Sequence, residues 1–229
     1  MSKGVSYEVF NNSDDDILKM SNLELSDIDK SEVLTIIQVI RDDVGMNTYE
    51  KGKILEDLIE KIMSATKVFK CLKNKHTTSN EFDILVKLNT NGKILRDKKI
   101  IPQWIPDHFL IECKNHKCAV EVGLVGKFYS LMDVSKVSLG LFISKIGITG
   151  AGELSWQDAT AFVKKINLKY SERTIPMILL DLDLNDIERV TDDDMDIIEI
   201  IETRKIDINM DINSSIGQWI KPHENEHKF

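Results

Sequence analysis

The chain has 229 residues, 42% of them hydrophobic and 30% charged, and carries a net charge of −8 at pH 7. That length and apolar content are enough to bury a core, which excludes a disordered polymer and a small fold held by disulfide staples. No run is long enough to span a bilayer, and Met1-Ser2-Lys3-Gly4-Val5 opens without a signal-like apolar core. The three cysteines, Cys71, Cys113 and Cys118, are an odd set without framework spacing, so a reducing cytoplasm is the expected setting, with no membrane.

Residues 1–30 are polar and acidic around Asp14-Asp15-Asp16 and predict an arm that is mobile or ordered by contacts elsewhere. Ser31 reads as the cap of a short helix through Ile40 that ends by Gly45. The clearest helix is Thr48 to Ala65, where Leu55, Leu58, Ile59, Ile62 and Met63 fall on one stripe. Glu56 and Glu60 border that stripe, four residues apart. Strands follow at Val68–Leu72 and Glu81–Leu88, and Asn89-Thr90-Asn91-Gly92 predicts a turn that returns Lys93-Ile94-Leu95 as a hairpin arm. Ile100–Pro106 reads as a loop insertion whose Trp104 packs rather than meets a nucleobase. Beyond it come a central strand His108–Lys114, a helix Ala119–Asp133 and a strand Val137–Ser144. A helix marked by Ala159, Phe162, Val163 and Ile166 precedes a last strand, Ile175–Leu180. The tail after Thr191 opens with three aspartates and continues Met195, Ile197, Ile198, Ile200 and Ile201, a short helix that predicts docking onto something. Strands alternating with helices predict an α/β sandwich with a mixed central sheet.

Two strands carry charge where a half-buried strand normally excludes it: Asp83 in Glu81-Phe82-Asp83-Ile84-Leu85-Val86, and Glu112 and Lys114 in Ile111-Glu112-Cys113-Lys114. Burying an unpaired ion costs several kcal/mol, so such residues need a reason. Alternation places Glu112 and Lys114 on one face and Cys113 on the other. If the strands pair, Asp83 joins them. Two carboxylates can then hold a hard divalent cation through oxygen, while the amine orients or deprotonates the attacking water of a phosphodiesterase. The bland alternative is an exposed ion pair on an edge strand, worth little either way. Charge distribution also matters: residues 1–50 hold 4 Lys/Arg against 11 Asp/Glu (−7), residues 51–150 hold 17 against 10 (+7), and residues 151–229 hold 9 against 17 (−8). The basic block contains the acidic pair, which suits phosphate binding, while the acidic ends suit subunit or partner contacts.

Lys51-Gly52-Lys53-Ile54-Leu55-Glu56-Asp57-Leu58-Ile59-Glu60, Thr77-Thr78-Ser79-Asn80-Glu81-Phe82-Asp83, Glu112-Cys113-Lys114-Asn115, and Gly147-Ile148-Thr149-Gly150 after Leu141-Phe142-Ile143-Ser144 together resemble Mrr-like (type IV) restriction endonucleases of the PD-(D/E)xK superfamily. The ordered set covers residues 48 to 190. It departs from the family in having no proline before Asp83, and in Lys127 where some members place a glutamine. The resemblance implies a restriction-endonuclease-like nuclease domain at 48–190, between an acidic arm and helix at 1–47 and an acidic helical tail at 191–229. It implies a Mg2+-dependent DNA endonuclease, with Mn2+ as a substitute, acting in bacterial defence against foreign or modified DNA. Asp83, Glu112 and the Cys113 backbone carbonyl would hold the metal, Lys114 would position the water, and Glu56 would act through water or a second cation. Lys73, Lys75, Lys98, Lys99 and Lys127 are the expected DNA contacts, and a homo-oligomer or protein partner is expected at the acidic ends. Two other readings stand beside it: a non-cleaving nuclease-fold subunit that binds DNA or assembles with a partner, and a dimeric junction resolvase.

Rival chemistries have weaker support. Cys71, His76, Cys113, His116 and Cys118 lack the paired spacing of a zinc site, and no base is marked for a cysteine nucleophile. Gly147 and Gly150 lack the lysine-serine/threonine continuation of a phosphate-binding loop.

Overall fold

The computed structural model describes residues 19, 21–76, 81–150, 158–171, 174, 176–193 and 195–210; for residues 74–76 and 81 only the backbone is described. Helix α1 (Asp27–Asp42) and helix α2 (Thr48–Ala65) precede strands β1 (Phe69–His76) and β2 (Glu81–Leu88). Helix α3 (Thr90–Asp97), strand β3 (His108–Lys114), helix α4 (Val122–Val134) and strand β4 (Leu139–Ser144) follow. Helix α5 (Ala159–Tyr170), strand β5 (Ile178–Asp183), helix α6 (Leu184–Glu188) and helix α7 (Ile197–Asn209) complete the order.

The five strands form one mixed sheet in the order β1-β2-β3-β4-β5. β1, β2 and β3 pair antiparallel, whereas β3, β4 and β5 run parallel through the crossover helices α4 and α5. One face packs Ile84, Val86, Ile111, Cys113, Leu141, Ile143, Leu180 and Leu182 against α1, α2 and α7. The other packs Leu110, Phe142 and Leu179 against α4 and α5. Every residue of β4 is buried, as expected of a central parallel strand covered on both sides.

Helix α2 has the predicted bounds. Asn47 accepts from the Glu50 N–H while the Glu50 carboxylate accepts from the Asn47 N–H, so two orphan donors are satisfied reciprocally. Its five stripe residues are all buried, each worth about 1.5–3 kcal/mol against exposure.

Several expectations are corrected. Helix α1 starts at Asp27, not Ser31; the cap is Ser26, whose hydroxyl accepts from the Asp29 N–H, and two acids in the first turn favour that start. The predicted hairpin arm after β2 is helix α3. Asn89 accepts from the Gly92 N–H as its N-cap, which turns the same four residues into a helix start instead of a tight turn. Gly92 lies so close to Val68 and Leu88 that a Cβ there would stand 2.5 Å from the Val68 carbonyl oxygen. Its role is close approach.

The isoleucine-rich tail docks onto this chain itself: Ile197, Ile198, Ile200 and Ile201 of α7 are buried in the α1–α2 core. Arg204 covers the β5 edge, with Nε donating to the Asp181 carbonyl oxygen and a guanidinium nitrogen 2.6 Å from the Asp181 carboxylate. From the N-terminal arm, Leu23 and Leu25 join the same core. Asp14-Asp15-Asp16 and residues 211–229, which carry part of the expected partner contacts, lie outside the described residues, as does Thr77-Thr78-Ser79-Asn80. Trp104 packs on the core as expected, and the Lys205 ammonium sits over its ring at 4.4 Å.

Candidate functional site

The site forms where β2 and β3 part. Their last backbone pair is Ile84 with Ile111. One residue further, the Asp83 carboxylate takes the place of a ladder acceptor and receives the Cys113 N–H at 2.7 Å. The side-chain alternation of β2 breaks at the same point, since Phe82 joins the α4–α5 core while Ile84, Val86 and Leu88 belong to the opposite one. Asp83 is therefore aimed into the fork between the strands. Glu112 and Lys114 share one face of β3, and Cys113 between them is buried on the α2 side.

Lys114 joins the acids. Its ammonium lies 2.5 Å from Glu112 Oε1 and 3.5 Å from Asp83 Oδ2, and donates to the Cys113 carbonyl oxygen at 3.1 Å. All three charged side chains are about one-fifth exposed: 21% for Lys114, 18% for Asp83 and 17% for Glu112. That is open enough to meet a ligand and shielded enough for charge to act strongly.

Burial pushes the Glu112 carboxyl above its ordinary value, and Asp83 pushes it further, with Lys114 and Lys127 opposing. Burial pulls the Lys114 ammonium down, yet Glu112 and Asp83 outweigh it and its pKa is raised. Glu56, reaching in from α2, is likewise raised by burial and then by Asp83, against the pull of Lys73 and Lys114. Asp83 and Lys114 are thus felt by both glutamates. The Asn115 side chain donates to the Lys51 carbonyl oxygen at 2.7 Å and ties the start of α2 to the end of β3.

The sequence-predicted lysines scatter. Lys127 is exposed on α4 and within electrostatic reach of Glu112. Lys73 lies on the α2 side and is held by ion pairs to Asp57 and Glu60. The side chain of Lys75 lies outside the described residues. Lys98 and Lys99 follow α3 at the opposite end of β2, about 17 Å of strand away, beside Lys19, Asp196, Glu199 and Glu202.

The sequence did not flag two nearby features. Ser144 pairs with Lys114 across β3 and β4, and its hydroxyl is buried without a hydrogen-bond partner among the described residues. Asp43 gathers Lys51 at 2.7 Å and Lys117 at 3.9 Å, and these, led by the Lys51 hydrogen bond, hold its carboxyl below the usual range. Neither shows in a linear pattern, because each depends on which chain ends meet at this edge of the sheet. The expected glycine turn is a turn: Gly147 and Gly150 have φ of 92° and 115°, and the loop is tied back by the Val120 N–H to the Gly147 carbonyl.

Among the described residues, no three His, Cys, Asp or Glu side chains gather closely enough to hold a metal ion by themselves. A cation here would draw on Asp83, Glu112, the Cys113 carbonyl oxygen and oxygens from water or phosphate. This hard-oxygen set suits Mg2+, which retains waters and takes only one or two carboxylates. A cation would favour charged Glu112 against the burial, and then the Asp83 repulsion, that raise it. The cysteines are spread apart: Cys113 is buried, Cys118 exposed, and burial pushes the half-buried Cys71 thiol up to about 11. Comparison with protein-family models, with curated proteins and with solved structures finds no match.

Proposed function

We propose that this chain is a divalent-metal-dependent DNA endonuclease with a restriction-endonuclease-like sandwich, of the kind that Mrr-like restriction enzymes represent. The observation that carries the reading is the convergence of Asp83, Glu112 and Lys114 at the β2–β3 fork, with one ammonium reaching both carboxylates. Asp83, Glu112 and the Cys113 carbonyl would hold Mg2+ or Mn2+. When bound, the cation supplies Lewis-acid polarisation of the phosphate and a lowered pKa for the attacking water. Lys114 then exchanges its carboxylate contacts for the phosphate, where its positive charge offsets the negative charge developing on the non-bridging oxygens. Its raised pKa keeps it protonated for that task. Glu56 contributes a third carboxyl felt by both Asp83 and Lys114, and its raised pKa suits it to accept the proton lost by the water. Lys127 adds an exposed cation on the α4 side of the site.

Plasmid cleavage in Mg2+ tests the reading, beside calorimetric metal titration. Asp83→Ala removes an oxygen ligand and is expected to lose both cleavage and metal binding. Lys114→Ala is expected to lose cleavage yet keep or tighten the metal, because an ammonium cannot be a ligand and repels the cation. Cleavage by Lys114→Ala at the parental rate would end this assignment. The non-cleaving subunit reading loses one of its supports, since the α7 isoleucines are engaged within the chain.

A further inference from the structure

The antiparallel register sets Lys70 of β1 directly opposite Lys87 of β2. Both are exposed on the face turned away from α2, and neither has an ion-pair partner among the described residues. Like charges directly opposite across a strand pair are destabilising. Nearby cations have ion-pair partners: Lys73 has Asp57 and Glu60, while Lys93 and Arg96 share Asp107 at 2.7 Å and 2.5 Å. The Lys70–Lys87 pair keeps its repulsion.

The row continues toward the site. Lys87 faces His108 across β2 and β3, and His108 is exposed. On that same face of β3, four residues further on, stands Glu112, about 13 Å away at strand rise. Measured along its axis, a duplex presents about four phosphates of one strand in that length. Leu72 and Leu85, both half-buried, form the floor between. Lys70, Leu72, Lys87, Leu88, Asn89 and Lys93 line a shallow depression of about 380 Å3 at the far end.

We propose that this open face of β1 and β2 is the track along which a DNA backbone lies, with Lys70 and Lys87 contacting phosphates a few nucleotides from the one held at Glu112 and Lys114. The proposal rests on the phosphodiesterase reading of that centre. Two observations favour an extended polyanion over a small anion, and with the phosphodiesterase reading of the centre that polyanion is DNA: the unneutralised cations stand level with His108, about 13 Å of strand rise from Glu112, and they occupy the same sheet face as Glu112 and Lys114. The pair keeps an unfavourable contact that an anionic ligand would relieve.

The test is fluorescence-anisotropy binding of the full chain to a labelled 30-base-pair duplex, in Ca2+ and over a salt series. Lys70→Gln/Lys87→Gln is compared with the charge-matched Lys169→Gln/Lys205→Gln on the β5 side of the molecule. Two lost phosphate contacts reduce the slope of log affinity against log salt by about 2, and reduce affinity at 0.1 M salt by roughly 10- to 100-fold. The control is expected to stay within about twofold of the parent by the same counterion argument. Single Lys70→Gln is expected to leave the thermal midpoint unchanged or raise it, because it removes a repulsion. Unchanged slope and affinity in the double variant would overturn the proposal, as would a parent that binds polyglutamate in preference to DNA or binds no DNA at low salt. A clear loss of binding alongside cleavage that survives Lys114→Ala would keep this track and sink only the mechanism.

Discussion

Lys114 sits between two carboxylates that would otherwise repel each other, and its ammonium is what lets both remain in a shielded fork. Glu112 is still the strained partner, with its carboxyl raised by burial and by Asp83. A carboxyl whose pKa rises on folding contributes stability that is complete below its unfolded value, near 4.3, and lost as pH rises through the folded value. Without divalent ions, Glu112→Gln is therefore expected to match or exceed the parent in thermal midpoint at pH 7.5, with the advantage gone at pH 4. Added Mg2+ is expected to raise the midpoint of the parent and not of the variant, because a ligand that binds only the folded state stabilises it. A variant less stable than the parent at pH 7.5 would show that the Lys114 pairing outweighs burial. Cys113 shows how one residue can serve the core and the site together. Its side chain is buried among α2-side apolar residues, while its N–H fixes Asp83 and its carbonyl receives Lys114.

Elements owe their ends to polar side chains that no hydrophobic pattern reveals. Helix α6 is held by a reciprocal box in which Asp183 accepts from the Asn185 and Asp186 N–H groups and Asp186 accepts from the Asp183 N–H at 3.0 Å. Burial, then Asp183 and Asp181, lift the Asp186 carboxyl to about 6, with Arg204 opposing. The contribution of Asp186 is thus complete below about pH 4 and fades as pH climbs through about 6. Asp186→Asn keeps an amide oxygen for the cap and removes the buried charge. Urea unfolding is expected to find it more stable than the parent at pH 7.5, by on the order of 1–3 kcal/mol, and equal to it at pH 4. Loss of stability at pH 7.5 would mean that the attraction of Asp186 to the Arg204 charge governs instead.

At the scale of the molecule, segments distant in sequence close one core. Leu23 and Leu25, α1, α2 and the last described helix, α7, all pack on the same side of the sheet. Ile200 is fully buried there. Ile200→Ala is expected to cost about 2–5 kcal/mol in chemical denaturation, the range for large-to-small changes at closed sites. An unchanged denaturation midpoint would make the tail a docking arm for something else. Arg204 and α7 also cover the β5 edge, which would otherwise offer unpaired backbone groups to another chain.

By itself the sequence determined what local chemistry decides. Helix α2 and strands β2 and β3 have their predicted bounds, because an apolar stripe, an Asn47–Glu50 box and alternation each act within a few residues. The acids and the lysine stood out for the same local reason, as charge inside apolar strands. Tertiary structure decided everything that depends on which segments meet. Asn89 and Gly92 make a helix start because Val68 and Leu88 close around them. Lys73 is occupied by α2, Lys98 and Lys99 fall at the wrong end of the sheet, and Lys87 turns out to share a face with Glu112. A lysine's charge is legible in a linear chain, but its neutralisation is not, because Coulomb energy depends on distances that only the packed sheet and helices set.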